Sequence, residues 1–290
     1  MRPYRVKGVS MLGDQALVLG GGGVAGIAWI TGLLAGLAEA GQDVTGADVI
    51  IGTSAGATVA AQVGSGLPLD DLFARQTQPA LQSREIPVEL DLDKLAADWA
   101  EVMAGVASAQ DMLRRVGAYA LAADTVPEAQ RRAVIESRLP SRAWPSRRIQ
   151  LVAVDAETGA PCVFDSESGA ELVDAVAASC AVPGIWPPVT IGGRRYIDGG
   201  VRSGDNADLA EGSERIVVIS PLGYDSPIPS PQPLRQVVGQ LRDRGSEVIV
   251  MVPDQASAAA MGANPLDPGT RVPAAEAGLA QGRGGLVDAG

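Results

Sequence analysis

Apolar residues in this chain fall into short continuous runs separated by longer segments of helical composition. A short continuous run is typical of a strand that is buried on both faces of a sheet. Runs of this kind predict strands over residues 15–19, 48–51, 148–154, 162–164, 215–219 and 247–252. Because strands and helices alternate, the pattern indicates an α/β protein with a central, mostly parallel sheet.

The longer segments predict the helices that flank this sheet. Residues 24–40 are predicted to form a buried helix that ends at Gly41, and residues 55–63 and 172–181 have helical composition. Residues 68–148 are helical and charge-rich, with apolar residues at the spacing of amphipathic helices and without a convincing strand. We interpret that stretch as a helical insertion, either a structural layer or a lid.

One domain is predicted over residues 1–290, because the chain contains no internal repeat and no convincing linker. The glycine-rich residues 280–290 are predicted to fray. Residues 16–38 carry no charge and are long enough to cross a bilayer, but the glycines at 20–23 interrupt the run. A strand, a tight loop and a buried helix explain this segment better than a membrane span.

The composition argues against several classes of protein. Net charge is −11 and aromatic residues make up 3% of the chain, so nucleic acid and strongly anionic lipid surfaces are disfavoured as partners. With only Cys162 and Cys180 and no histidine, neither a disulfide framework nor a Cys/His zinc site is predicted, and both thiols are expected in the core. Asp14 and the glycine run interrupt any signal-peptide core, so a cytoplasmic location is predicted.

The segment Gly52-Thr53-Ser54-Ala55-Gly56 has the G-x-S-x-G pattern of a nucleophile elbow. It follows a predicted strand and precedes a predicted helix, which is the setting that places a serine hydroxyl on a sharp turn. Because the chain has no histidine, no imidazole of its own can take the proton of Ser54. A carboxylate must therefore serve as the base if Ser54 is the nucleophile.

Asp198 is the leading candidate for that base, because Tyr196-Ile197-Asp198-Gly199-Gly200 delivers an acid from an apolar stretch into a glycine turn. An ordinary aspartate, with a pKa of about 3.9, is a poor base for an alcohol, so the site is expected to be partly desolvated. The nearby Ile185 and Trp186 are candidates for apolar cover. Asp155 follows a strand and precedes a turn, where capping the turn is its expected role.

The glycine loop Gly21-Gly22-Gly23-Val24-Ala25-Gly26 has two interpretations. It fits the G-x-G-x-x-G fingerprint of dinucleotide binding. However, the second strand has Asp48 at its start and runs into Gly52-Thr53-Ser54, so the acidic ribose contact is missing. In the alternative interpretation, the N–H groups of Gly21, Gly22 and Gly23 face a developing oxyanion at a helix N-terminus.

In chain order, the glycine loop, the elbow and the Asp198 turn resemble the patatin-like phospholipases, a family of lipid acyl hydrolases with a Ser-Asp dyad. The resemblance covers roughly residues 16–210 and includes Ala177-Ala178-Ser179-Cys180-Ala181-Val182-Pro183-Gly184. It implies a three-layer α/β/α fold, Ser54 as the nucleophile, Asp198 as the base and no cofactor. It also implies an oxyanion hole formed by Gly21, Gly22, Gly23 and Ala55.

The resemblance implies a lipid or other acyl-ester substrate and transient contact with a membrane surface. One departure is Ala25, because the family often has arginine or lysine there, so ester hydrolysis is better supported than a phospholipid preference. The arginine pairs at 131–132, 147–148 and 194–195 are expected to be solvated surface pairs. Two alternatives stay open: a soluble short-chain esterase or thioesterase with the same dyad, and a non-enzymatic nucleotide-binding protein that uses the glycine loop.

Overall fold

A computed structural model of the protein describes residues 14–88, 92–225 and 230–290. The strands of this part of the chain are β1 (Gln15–Leu19), β2 (Val49–Thr53), β3 (Arg148–Asp155), β4 (Pro161–Phe164), β5 (Val189–Ile191), β6 (Arg194–Asp198), β7 (Arg215–Ile219) and β8 (Glu247–Met251). The helices are α1 (Gly23–Glu39), α2 (Ala55–Gly64), α3 (Leu69–Thr77), α4 (Leu92–Met103), α5 (Ala109–Ala122), α6 (Glu128–Arg138), α7 (Leu172–Ser179), α8 (Leu234–Asp243), α9 (Gln255–Met261) and α10 (Arg271–Gly282).

The strands form one sheet in the order β5-β6-β3-β2-β1-β7-β8, and β4 pairs with β3. Pairing is parallel from β3 through β2, β1 and β7 to β8, and antiparallel for β4, β5 and β6. All five residues of β2, at the centre, are buried, which is why its sequence is a continuous apolar run. The predicted mostly parallel sheet is confirmed.

Helices cover both faces of this sheet. Successive residues of its central strands point to opposite faces, and the side chains on both faces are buried. Leu17 and Leu19 of β1 belong to one core, together with residues of α1, α2, α7 and α10. Ala16 and Val18 belong to a second core, whose helical side is α8. The three-layer α/β/α architecture expected from the sequence is therefore present.

Helix α1 packs unusually closely against α10. A Cβ on Gly32 or Gly36 would collide with the carbonyl oxygens of Ala275 and Leu279, and the glycines of α10 meet the backbone of α1 in the same way. Glycine is required because the two backbones touch. The uncharged stretch at residues 16–38 is thus β1, a loop and a buried α1, and no helix in the described part of the chain is long and apolar enough to span a membrane.

The sequence prediction misses the hairpin of β5 and β6. Its first strand has only three residues, and its second begins with Arg194 and Arg195, so neither gives a continuous apolar run. The fraying predicted for residues 280–290 stays a prediction. The end of the chain contacts the edge strand β8. There, Ala289 donates to the carbonyl oxygen of Val250 (2.8 Å), and Asp288 accepts from the Val250 N–H (2.9 Å). The tail thereby satisfies backbone groups of the edge strand β8.

Residues 68–148 form α3, α4, α5 and α6 with a short 3-10 helix, and no strand occurs among the residues that the structure describes there. They follow α2 and lead into β3, the strand next to β2 in the sheet. The helical character predicted for this segment is therefore present. Its function as a lid stays a prediction.

Candidate active site

Ser54 lies on the sharp turn between β2 and α2. Its φ of 53° and ψ of −112° are uncommon for a residue with a side chain. The turn is tight enough that a Cβ on Gly52 would lie 2.6 Å from the carbonyl oxygen of Gly56, and one on Gly56 would collide with the carbonyl group of Leu19. Both glycines of the G-x-S-x-G pattern are therefore required by close backbone contacts.

The end of α7 holds the backbone of Ser54 on both sides. The Ser54 N–H donates to Oγ of Ser179 (2.9 Å), and the thiol of Cys180 donates to the Ser54 carbonyl oxygen (3.2 Å). Burial raises the pKa of the Cys180 thiol, which keeps the donating proton in place. These contacts compensate for the strained backbone and fix the position from which the hydroxyl projects.

The sheet register brings Asp198 level with Ser54. Thr53 of β2 pairs with Val152 of β3, and the next residue of β3, Ala153, pairs with Asp198 at the end of β6. The Asp198 carboxylate accepts a hydrogen bond from the Gly200 N–H (2.7 Å), and the nearby Ser54 hydroxyl lowers the pKa of its carboxyl. The two residues that the sequence selects, although far apart in the chain, thus lie together at one cavity.

Asp198 is only 4% exposed, and burial raises the pKa of its carboxyl to about 7. The hydrogen bonds from Gly200 and Ser54 and the charge of Arg131 act in the opposite direction. The desolvation required for an aspartate to act as a base on an alcohol is therefore present.

Two helix N-termini meet at Ser54. Gly23 and Ala55 are the first residues of α1 and α2, so their N–H groups have no acceptor within their own helix. Gly22 precedes α1 directly, and a Cβ on Gly26 would lie only 3.3 Å from that of Ala55. Both helix dipoles therefore direct positive potential toward the same region.

Gly21 differs from the other glycines of the loop, because its N–H donates to the carbonyl oxygen of Gly204 at 2.8 Å. The prediction of Gly21 as an oxyanion donor therefore needs correction, since its one backbone proton is already used. A Cβ on Gly21 would lie 3.6 Å from the Cβ of Ser54. Gly21 thus borders Ser54 and keeps the space beside it open.

Ser54, Asp198 and the glycine loop line a cavity of about 520 Å³. Ile185 and Trp186, predicted as apolar cover, contribute to its wall. The segment 68–148 also contributes, through Ile86 and Trp99, and the wall is otherwise largely aliphatic. A cavity of this size and character is suited to an acyl chain or a comparable apolar group.

One part of the cavity wall is charged. The prediction that the arginine pair at 131–132 is a solvated surface pair is wrong for Arg131. Arg131 is buried rather than solvated, whereas Arg132 points outward to Asp174 (2.6 Å) and to Glu171 (2.7 Å). Consecutive helical residues lie about 100° apart around the axis, so a sequence pair need not share an environment. The missed signal is the spacing of Arg131, Ile135 and Arg138, which forms the buried face of α6.

Glu85 connects the charged part of the cavity wall on α6 to helix α10. Its carboxylate accepts two hydrogen bonds from Arg138 (3.0 and 2.6 Å) and one from Arg271 of α10 (2.8 Å). Burial alone would raise the pKa of Glu85, but the neighbouring guanidinium groups hold it below its ordinary value. Glu85, Arg131 and Arg138 all line the cavity that contains Ser54.

A second buried acid, Asp205, lies beneath the glycine loop. Burial raises the pKa of its carboxyl to about 7, against a hydrogen bond with Ser220. A Cβ on Gly20 would collide with this carboxyl group. The neighbouring Asn206 donates to Thr53 Oγ1 (3.0 Å) and to the Gly199 carbonyl oxygen (3.2 Å). Residues 205–206 thus connect the loop, the elbow strand and the turn after Asp198.

The other residues considered in the sequence analysis have contacts that support the fold. Asp155 accepts from the N–H groups of Glu157 (3.0 Å) and Thr158 (2.9 Å) and pairs with Arg194, which matches a turn cap. Cys180 is buried and Cys162 is half-buried, and both are free thiols. Ala25 is fully buried in α1, so this position offers no charged group to the cavity.

Solved structures with similar chains include VipD from Legionella pneumophila, which is 13% identical with a TM-score of 0.44 over 93% of this chain and 66% of VipD. Another is the type III effector protein ExoU, which is 15% identical with a TM-score of 0.36 over 94% of this chain and 52% of ExoU. The chain therefore spans about two thirds of the first protein and half of the second. No curated protein sequence matches it.

The family described as "Patatin-like phospholipase" matches residues 17–211. The matched region includes the glycine loop, the elbow with Ser54 and the turn with Asp198, and it covers more than half of the chain. On this match, and with its α/β/α architecture, the chain belongs to the patatin-like phospholipases, a family of lipid acyl hydrolases.

Proposed function

We propose that this protein hydrolyses carboxylic esters of lipids by a catalytic dyad of Ser54 and Asp198. The observation that carries the proposal is that the Ser54 hydroxyl lies beside the buried Asp198 carboxyl, whose pKa it lowers, in one largely apolar cavity. A nucleophile beside its base is the arrangement that acyl transfer requires. Family membership independently supports lipid hydrolysis.

In the proposed first half-reaction, Oγ of Ser54 attacks the ester carbonyl carbon while Asp198 accepts the hydroxyl proton. The carbonyl oxygen becomes an oxyanion, which the N–H groups of Gly22, Gly23 and Ala55 stabilise. The ester C–O bond then breaks, and Asp198 gives its proton to the departing alkoxide. The products are a free alcohol and an acyl group attached to Ser54.

In the second half-reaction, water replaces the alcohol. Asp198 takes a proton from the water as its oxygen attacks the acyl carbon, and the same donors stabilise the second oxyanion. The bond to Oγ breaks, Ser54 regains a proton from Asp198, and the carboxylic acid is released. Because the pKa of Asp198 is about 7, the residue can accept and return a proton near neutral pH.

The apolar cavity favours a substrate with an acyl chain over a small soluble ester. A soluble short-chain esterase or thioesterase with the same dyad would not gain rate with chain length. A non-enzymatic nucleotide-binding protein would be stabilised by a dinucleotide and would not turn over esters. The proposal includes the predicted cytoplasmic location and transient contact with membrane surfaces, where long-chain esters are found.

The first experiment is intact mass spectrometry after treatment with a lipid-like fluorophosphonate, followed by peptide mapping and hydrolysis of an ester series of increasing chain length. We expect one covalent adduct on Ser54, none in the Ser54→Ala variant, and a rate that rises with chain length. Absence of an adduct on the folded wild-type protein would overturn the proposed nucleophile. Full activity of Ser54→Ala would identify a different one.

A further inference from the structure

We propose that Glu85 is a positioning residue for long acyl chains: its buried carboxylate fixes residues 82–88, here called the strap, as a wall of the catalytic cavity remote from Ser54. The inference rests on the proposed function, because it assigns the chain-length preference of the same cavity to one side chain. It gives a role to a buried acid that neither the dyad nor the glycine loop uses.

The strap has no backbone scaffold of its own. Residues 82–88 belong to no helix or strand, and no backbone–backbone hydrogen bond in the described part of the chain involves residues 83–88. Side chains hold its backbone instead: Arg271 donates to the Ser83 carbonyl oxygen (3.0 Å), and Asn264 donates to that of Val88 (3.4 Å). A segment without a hydrogen-bonded ladder keeps its position through such side-chain contacts.

Glu85 is the residue that ties the strap to two helices. Its side chain is 2% exposed, although the strap around it is half-buried or exposed. The carboxylate accepts hydrogen bonds from Arg138 on α6, from Arg271 on α10 and from the Ser83 hydroxyl (3.1 Å) within the strap. Charge-assisted hydrogen bonds of this kind are stronger than neutral ones, so one buried carboxylate anchors the segment.

The charge of Glu85 is needed because buried cations surround it. Arg131, Arg138 and Arg271 have nitrogen atoms at 3.8, 2.6 and 2.8 Å from its carboxylate oxygens. The charge of Asp198 also acts on Arg131, so Arg138 and Arg271 depend on Glu85 most. Without this carboxylate, buried cations would face one another unpaired, which is strongly unfavourable. The strap, which lacks backbone partners, is the element that should then move.

The strap lies at a part of the cavity that a short ester does not reach. Glu85 and Ile86 line the cavity that contains Ser54. The carbonyl oxygen of Arg138, which anchors the strap, accepts from the Gln62 side chain (3.0 Å). Gln62 lies on α2, about 12 Å along the helix axis from Ser54. An ester carbonyl at Ser54 is therefore separated from the strap by several methylene groups, so the strap contacts the distal part of a long acyl chain.

The test compares p-nitrophenyl butyrate with p-nitrophenyl laurate in the same neutral detergent. We expect Glu85→Gln to raise KM for the laurate by about tenfold, the effect of losing contact with about two methylene groups. KM for the butyrate and kcat for both esters should change less than about twofold, because the dyad is untouched. The matched control is Glu136→Gln, an acid on α6 that pairs with Arg132 and Arg142, which should change neither ester. An equal loss on both esters, or an unchanged KM for the laurate, would overturn the proposal.

Two further variants guard against a folding defect in Glu85→Gln. Ile86→Ala shortens the cavity face of the strap without altering a charge, so KM should rise by about threefold for the laurate and stay constant for the butyrate. Arg271→Gln removes the α10 side of the anchor but keeps the pair of Glu85 with Arg138, so its effect should be intermediate. Melting temperatures identify any unfolded variant. If folded Ile86→Ala keeps the wild-type preference for chain length, the strap does not contact the acyl chain and the proposal is wrong.

A binding arm separates this inference from the proposed chemistry. In a Ser54→Ala background, titration calorimetry would measure binding of monododecylglyceryl ether, a neutral analogue that cannot be hydrolysed, with and without Glu85→Gln. We expect binding to weaken by about tenfold when Glu85 is replaced, whether or not the wild-type protein hydrolyses any ester. Binding that depends on residue 85 in a protein without turnover would contradict the dyad and support the strap. Ether binding that is independent of residue 85 would overturn the strap, even if the wild-type protein is an active esterase.

Discussion

Asp198 and Asp205 are alike in every property that is usually used to identify a catalytic acid or base. Both are 4% exposed, and burial raises the pKa of each to about 7. Their surroundings differ: Asp198 contacts the Ser54 hydroxyl in the cavity, whereas Asp205 contacts Ser220 and lies against Gly20 beneath the loop. Burial and a raised pKa therefore do not distinguish the two acids, whereas the position beside Ser54 does.

The largest effect should come from replacing Asp198, the proposed base. Asp198→Asn keeps the shape of the side chain and the acceptor for the Gly200 N–H, but it cannot take the proton of Ser54. We expect kcat to fall by about 100- to 10,000-fold with the fold retained, as measured with a lauroyl ester and checked by circular dichroism.

Asp205→Asn is the matched control, because it makes the same chemical change at an equally buried acid. Since Asp205 has no contact with the nucleophile in the described structure, kcat should fall by about tenfold or less. If the folded Asp205→Asn protein were as inactive as Asp198→Asn, the different contacts of the two acids would no longer support Asp198 over Asp205 as the base.

A second pair of variants separates the two sides of the glycine loop. An alanine at Gly21 fits, because its Cβ has only ordinary contacts, but it would lie 3.6 Å from the Cβ of Ser54. We expect Gly21→Ala to lower kcat/KM by about tenfold, with little change in melting temperature, because the methyl group narrows the approach to the nucleophile. Steady-state kinetics and thermal unfolding on the same sample measure both quantities.

Gly20→Ala should act mainly on stability, because its Cβ would collide with the Asp205 carboxyl group. We expect a loss of about 1–3 kcal/mol in the free energy of unfolding. A stable Gly20→Ala protein would show that Asp205 can move, and it would weaken the description of Asp205 as a fixed support for the loop.

The sequence predicts the parallel half of the sheet and the dyad through local patterns. Strands such as β1 and β2 are largely apolar runs, and Ser54 follows β2 in the G-x-S-x-G pattern, whereas Asp198 is marked by the two glycines that follow it. The hairpin of β5 and β6 lacks that signal, since it is short and begins its second strand with two arginines. Its position depends on pairing with β3.

The charged wall could not be predicted, because its members are distant in sequence. Glu85 and Arg271 are separated by 186 residues, and charged side chains are normally assigned to the surface. Only the packing of α10 against α1 brings Arg271 to this cluster, and that contact depends on glycines such as Gly32 and Gly36, whose role is invisible in a hydrophobicity pattern. Arg131 is a different case, because the spacing of Arg131, Ile135 and Arg138 on one face of α6 is a local signal that the prediction of a solvated pair overlooks.

The pH dependence of activity should also distinguish the two acids. Asp198 must be ionised to accept a proton, so kcat/KM should rise with pH through about 7 and then level off. Asp205→Asn should leave this rise in place. Arg131→Gln should move it to higher pH, because the charge of Arg131 lowers the pKa of Asp198. If the rise in kcat/KM disappeared in Asp205→Asn, the titrating group would be Asp205 and not Asp198.

Stability is the property in which the two acids should behave alike. Each has a folded-state pKa of about 7 against an ordinary value of 3.8, so between these pH values the folded protein holds protons that the unfolded chain has lost. The contribution of these two acids to the free energy of unfolding should therefore fall as pH rises from about 4 to about 7 and then become constant.

Replacing either acid by asparagine removes its contribution to that slope. Asp198→Asn and Asp205→Asn should both be more stable than the wild type near pH 8 and equal to it near pH 4, as measured by urea unfolding across the range. The two variants should have the same stability profile but different kcat values. That result would establish that burial destabilises the ionised form of both acids but contributes to catalysis only at Asp198. A stability gain at Asp205 but none at Asp198 would mean that the Ser54 and Gly200 hydrogen bonds offset the desolvation of the base.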